Sequence, residues 1–228
     1  MRHLQERSAR AFPALVVERA GGWWLRHNDG PAWWAGSVLP HGAWSPSLLE
    51  VAERFYAGCG APARFQITPG VVPDGLDAAL AARGYDVASP MSLQTAGVVS
   101  HPFHGVVLTD RPPENWPVAD RPMLERVTQP TAYASALDGA SLGRAVYEDG
   151  WAGIFGMATR PDARGRGGAA RVLAALTSWA ADLGATRLYL QVEPANAPAL
   201  RLYARAGFAE VCRYYYRVTS RDGEPRRR

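Results

Sequence analysis
The residues best equipped for chemistry sit together in one loop, Arg164-Gly165-Arg166-Gly167-Gly168-Ala169. Three glycines in the four positions 165–168 allow left-handed or crowded backbone that a Cβ would forbid. Bare amides can then converge on one ligand. A helix that starts within the loop adds unpaired N–H groups and the positive end of its dipole. Arg164, Arg166 and Arg171 can bring guanidinium groups to the same place. The chemistry implied is anion binding, and the shape suits a pyrophosphate. The loop has neither the lysine and Ser/Thr pair of an ATP-type phosphate loop nor the glycine spacing of a dinucleotide fingerprint.

The flanking pattern says what must hold this loop. The apolar run 154–157 leads into it as a strand. Gly168, Ala169, Val172, Leu173, Leu176, Ala180 and Leu183 then recur at helical spacing, and Gly184 closes the helix. Leu188, Leu190 and Val192 alternate with Tyr189, Gln191 and Glu193, as on a strand with two different faces. Strand, helix and strand form a crossover, so the two strands run parallel. Upstream, 131–137, 142–147 and 151–159 read as three hairpin-linked strands. Pro198 suits the first turn of a further helix. The segment 211–218 reads as the last strand.

Two stretches together resemble the GNAT superfamily, the acetyl-CoA-dependent N-acetyltransferases. Arg164, Gly167 and Ala169 stand at the fixed positions of its R-x-x-G-x-(G/A) signature. Asn196, Ala199 and Tyr203, followed by Gly207-Phe208, match its N-x-x-A-x-x-x-Y helix ending in G-F. The close resemblance covers residues 105–218, and a weaker one covers the first half. It implies that Arg164, Gly165, Arg166, Gly167, Gly168 and Ala169 hold the pyrophosphate of acetyl-CoA. Backbone groups of Met157, Ala158 and Thr159 would pair with its pantetheine arm, and one N–H there would act as a small oxyanion hole. Asn196 would be a pantetheine partner, a role compatible with capping its helix.

Tyr203 stands at the family's acid position; its other reading is a packed helix tyrosine. A phenol ionises near pH 10 and a thiol near about 8.5, so Tyr203 need only hydrogen-bond the leaving thiolate. Glu193, at the end of the strand after the helix, is the candidate base; its other reading is a surface glutamate before Pro194. The strand 151–159 carries no carboxylate, which leaves a chain of waters as a further route for the proton.

The first half repeats part of the second. Residues 60–67 resemble 184–190, and 80–85 resemble 203–208. A diverged duplication follows, with Leu80 at the place of Tyr203 and Ser45-Pro46-Ser47 where the glycine-arginine loop would stand. Ser45 is the expected N-cap of the helix there. Segments 15–17, 23–27, 32–38, 63–68 and 87–95 read as strands, with a turn at 28–30. On a strand, Trp23-Trp24 and Trp33-Trp34 would each send one ring to the core and one to the other face. The resulting expectation is an α/β (α+β) tandem GNAT fold with two mixed, mostly antiparallel sheets flanked by helices. Residues 1–99 form a degenerate GNAT-like domain, 100–104 a linker, and 105–228 the catalytic domain.

Composition narrows the classes. The chain has 228 residues, 47% of them hydrophobic, enough for a sizeable core. All 25 basic residues are arginine, scattered among acids apart from the 226–228 tail, so the net charge of +4 carries no nucleic-acid reading. Two cysteines without a C-x-x-C spacing give neither a disulfide framework nor a metal cluster. With no apolar signal segment or membrane-length run, a cytoplasmic protein is expected. The expected reaction is direct acetyl transfer from acetyl-CoA, as cosubstrate and without metal, to a primary amine on a small molecule. Neither nucleic acid nor membrane is an expected partner, and the oligomeric state is open. The alternatives are a peptide or protein N-acetyltransferase and a non-catalytic acyl-CoA sensor.

Overall fold
The computed structural model describes residues 1–29 and 32–219. Gly30 of the expected 28–30 turn and the 226–228 tail lie outside them. The chain divides into two compact units that are not continuous in sequence. One contains Met1–Gln5, Ala14–Met91 and the chain from Cys212; the other contains Glu6–Pro13 and Ser92–Val211. This departs from the continuous division at 100–104.

In the first unit, β1 (Val16–Ala20) and β2 (Trp23–His27) form an antiparallel ribbon closed by Gly21 and Gly22. The expected strand 32–38 is instead a short 3-10 turn, Trp33–Gly36. The turn forms because Gly36 lies against the backbone of His27 and Asn28, where a Cβ would come within 2.7 Å of the Asn28 nitrogen. The Tyr56 hydroxyl also donates to the Gly36 carbonyl at 2.9 Å. Trp33 and Trp34 are therefore not alternating strand residues. In contrast, Trp23 is fully buried while Trp24 is half-buried under Arg19, as a strand requires.

Helix α2 (Pro46–Gly58) starts at Ser45, whose hydroxyl accepts from the Leu48 amide at 3.1 Å. Leu49, Ala52 and Tyr56 give it one buried face. Strand β3 (Arg64–Ile67), α3 (Leu76–Ala82) and β4 (Tyr85–Gly97) follow. The core gathers Trp23, Leu25, Phe65, Leu76 and Leu80.

The second unit adds β5 (Val106–Thr109), the single-turn α4 (Arg121–Leu124), β6 (Thr131–Ala136), β7 (Ser141–Glu148) and β8 (Trp151–Thr159). Then come α5 (Gly168–Asp182), β9 (Arg187–Val192) and α6 (Ala197–Arg205). Its strand order is β4-β9-β8-β7-β6-β5. Strands β6 to β8 form the expected meander, β5 adds antiparallel to β6, and β8 and β9 are parallel. Val172, Leu173 and Leu176 of α5 pack with Ile154, Leu188 and Leu190 in the core.

Two strands carry the division between units. Ser92–Gly97 of β4 pair with β9, so this end of the strand belongs to the second unit. Strand β10 (Ala209–Thr219) behaves inversely: its Tyr215–Val218 portion pairs with β3 in the first unit. The order α2–β3–α3–β4 thus recurs as α5–β9–α6–β10. Helix α1 (Arg2–Ala11) is likewise divided, residues 2–5 falling in the first unit and 6–11 in the second. Among the described residues no helix is long and apolar enough to cross a membrane.

An ion pair fixes the end of β10 to α3. Arg217 Nε lies 2.8 Å from Asp77 Oδ1, and the Tyr215 hydroxyl donates to Asp77 Oδ2 at 2.8 Å. The Arg217 hydrogen bonds hold the Asp77 carboxyl below its ordinary pKa despite partial burial. A depressed carboxylate pKa stabilises the fold above the unfolded value of about 3.9, and that contribution disappears as pH falls through the folded value. Asp77→Asn is therefore expected to lower the urea midpoint near neutral pH, with the difference from wild type closing below about pH 4. A difference that persists in acid would show that the charge is not its source.

Candidate functional site
The site begins where β8 leaves both of its neighbours' regular registers. Against β7 it pairs from Trp151 to Phe155 and again at Ala158 and Thr159, with a shift between Leu142 and Arg144. Gly156 sits in that irregularity with φ +60°, a left-handed conformation a β-branched residue would resist. Against β9, β8 pairs only over Trp151–Gly153. The strands then part, and the β9-facing edge of 156–159 has no ladder partner there. Gly156 and Ala158 are exposed, while Met157 and Thr159 are half-buried. Met157 packs at Gly143, where a Cβ would meet its sulfur at 2.5 Å and Val172 at 2.7 Å.

Beyond β8 a short 3-10 turn, Pro161–Ala163, leads to the glycine-arginine loop. Gly165 (φ +76°) and Gly167 (φ +77°) are both left-handed, and nothing lies within 4 Å of a Cβ built on either. Their requirement is conformational. Gly168 is different: a Cβ there would run into Ser141 Oγ and come within 2.8 Å of Leu137 Cδ1. Ser141 Oγ is itself 3.0 Å from Thr159 Oγ1, so the start of α5 is seated directly on the end of the β7–β8 pair. Ala169 is half-buried in the first turn.

Gly167 is the N-cap of α5 and supplies no side-chain cap. The first intrahelical bond runs from the Arg171 amide to the Gly167 carbonyl, 3.1 Å. The amides ahead of it therefore have no helical acceptor, and the 15-residue helix places its positive end there. Arg164, Arg166 and Arg171 are exposed around this terminus, with no acidic partner for any of them among the described residues. Two clefts meet on Ala170. One, about 570 Å³, is bounded by Pro102, Phe103, His104 and Arg171; the other, about 210 Å³, lies between α5 and α6 at Leu173, Leu202 and Arg205.

Asn196 caps α6, its Oδ1 accepting from the Ala199 amide at 3.2 Å, and the residue is exposed. Tyr203 is 6% exposed and sits edge-on to Phe208, with ring centroids 5.8 Å apart. Burial alone pushes its phenol up to about 12. At neutral pH it is a proton donor and not a base. Glu193 lies just past β9, exposed, and its carbonyl accepts from the Asn196 amide at 2.9 Å. By strand alternation it continues the face of Tyr189 and Gln191, away from the Leu188, Leu190 and Val192 core.

Sequence patterning missed the Gly156 irregularity and the environment of Arg144. An isolated glycine inside an apolar strand was the available signal for the first. For the second there was none, since a buried arginine and a solvated one read alike. Arg144, on β7, is fully buried.

A family model described as "Probable histone acetyltransferase Rv0428c C-terminal" matches residues 1–217. An uncharacterized N-acetyltransferase, YobR, of Bacillus subtilis (strain 168) is 28% identical over 247 residues, covering 96% of this chain and 98% of its own. A GCN5-related N-acetyltransferase from Kribbella flavida has a similar fold, with TM-score 0.70 at 18% identity over 98% of this chain and 95% of that one. A tandem GNAT protein from the clavulanic acid biosynthesis pathway aligns with TM-score 0.61 at 14% identity, over 94% of this chain and 86% of its own.

Proposed function
Given that the chain belongs to the family of the Rv0428c C-terminal region, within the GNAT superfamily of acyltransferases, we propose that it moves acetyl from acetyl-CoA directly to a primary amine on a small molecule. One observation carries the donor assignment. The left-handed Gly165 and Gly167 open the uncapped N-terminus of α5 beside the place where β8 and β9 part. A helix terminus whose first amides have no helical acceptor, ringed by three exposed guanidinium groups, suits a pyrophosphate. The unladdered edge of Met157, Ala158 and Thr159 suits the amides of a pantetheine arm.

In this reading, an N–H of that edge hydrogen-bonds the thioester oxygen as negative charge develops on it. The amine nitrogen forms its bond to the carbonyl carbon, the carbon–sulfur bond breaks, and Tyr203 donates a hydrogen bond to the departing thiolate. Its raised pKa makes complete proton transfer unfavourable, so the final proton comes from solvent. Asn196 Nδ2, not needed for the cap, faces the arm. Glu193 receives the amine proton at the open end of β9. The first unit, with Leu80 in place of the tyrosine and a Ser45 cap in place of the glycine loop, serves as a degenerate GNAT-like partner without its own donor site.

The test is thiol release from acetyl-CoA over a panel of primary amines, with products identified by mass. Amine-dependent release supports the reading; tight acetyl-CoA binding without turnover on any amine would favour a sensor. Glu193→Gln is expected to lower kcat/KM by roughly 10–100-fold near neutral pH. The loss should narrow at alkaline pH, where the amine is already neutral. An unchanged profile would assign the proton to water.

A further inference from the structure
Among the described residues, the face of β7 and β8 away from α5 holds two buried N–H groups without an acceptor in hydrogen-bond geometry. Arg144 is 0% exposed. Its Nη2 donates to the Ala11 carbonyl at 2.9 Å, and its guanidinium lies 4.6 Å from the Phe12 ring and 5.4 Å from the Phe155 ring. Its Nη1 is buried and has no acceptor. The indole Nε1 of Trp116 is also buried without an acceptor. No carboxylate forms an ion pair with Arg144 among the described residues. The Tyr133 phenol is its strongest polar neighbour, a neutral one; Asp120 acts more weakly from a distance, and burial pushes the Asp120 pKa up. A buried guanidinium that keeps its charge and lacks an anion is strongly disfavoured unless something completes it.

Both donors adjoin the irregular stretch of β8. Arg144 is the register partner of Phe155, the residue before Gly156. The Trp116 ring covers Gly156, where a Cβ would lie 2.7 Å from its Cη2, and stacks edge-on against Tyr133 at 5.1 Å. Holding α1 in place would require only the Nη2 bond and the contact with Phe12. Even with the Tyr133 phenol beside the guanidinium, that role leaves Nη1 without an acceptor of good geometry and does not account for Trp116 Nε1. A pair of donors without an acceptor, one of them permanently cationic, matches a planar carboxylate.

Building on the acetyl-transfer reading, we propose that Arg144 and Trp116 receive a carboxylate of the acceptor, so that the substrate is a small amino acid or a closely similar aminocarboxylate. Phe12, Phe155 and Tyr189 form the aromatic wall beside it. Both donors are closed off from solvent, so the carboxylate enters as Trp116 lifts from Gly156. Its amine then reaches the edge that presents the thioester.

The experiment compares free amino acids with their carboxamides, using thiol release by the full chain. The expected kcat/KM for the acid exceeds that for its carboxamide by at least about 30-fold, a bidentate charged contact against a neutral one. Arg144→Gln should erase the preference through KM. Trp116→Phe, which keeps an aromatic ring beside Tyr133 but removes the indole N–H, should raise KM for the acid several-fold and shrink the acid-over-carboxamide preference. It provides a reading even if the arginine variant fails to fold. Equal rates on acid and carboxamide, or turnover confined to amines without a carboxylate, would overturn the carboxylate assignment and leave the acetyltransferase reading standing. Failure to bind acetyl-CoA in calorimetry would bring down both.

Discussion
Tyr203→Phe is expected to lower kcat by roughly 100-fold while leaving acetyl-CoA affinity almost unchanged, the scale of losing one charge-stabilising donor in an enclosed site. The substitution removes one oxygen and keeps the ring that packs against Phe208. Stability should therefore hold, and a matched thermal melt checks this. The pH profile separates two roles. With its pKa pushed to about 12, Tyr203 stays protonated through the working range, so wild type and variant should share the same profile shape below about pH 10. A variant that loses an alkaline limb would make Tyr203 a titrating group. Unchanged turnover would make it a packing residue only.

Gly168→Val is expected to damage fold and site together. The new side chain would occupy the space of Ser141 Oγ and Leu137 Cδ1, and neither can move without shifting the β7–β8 end where Ser141 meets Thr159. Overpacking of this kind costs about 2–3 kcal/mol, or roughly 4–12 °C in Tm for a chain of this size. Because the helix start is displaced, acetyl-CoA binding should be lost as well. Gly165→Ala is the contrast. It meets no atom within 4 Å and bears only the strain of a left-handed alanine at φ +76°. That strain is about 1–2 kcal/mol. A Gly168→Val protein that melts like wild type would show that the helix seat is not close-packed.

How much of this was legible beforehand depended on how local each feature is. The loop, α5 and the Asn196 cap depend on residues within a few positions, and glycine, periodicity and cap chemistry announced them. The parallel β8–β9 pair followed from the intervening helix. The partners of β4 and β10 did not, because alternation shows which face of a strand is buried and says nothing of which strand lies beside it. That is why continuous halves were expected where Ser92–Gly97 and Tyr215–Val218 instead pair across the midpoint of the sequence. Trp33-Trp34 misled for a related reason: the close approach of Gly36 to His27 and Asn28 overrides strand propensity.

The most direct test is calorimetric titration of the full chain with acetyl-CoA beside the double variant Arg164→Ala, Gly167→Glu. The variant removes one guanidinium and places a negative side chain on the left-handed cap of α5. An anion site at this terminus is expected to give micromolar binding in wild type, weakened at least about 100-fold in the variant, near 2.7 kcal/mol. No heat from wild type at high micromolar ligand, or equal binding by both proteins, would contradict the assignment of the loop.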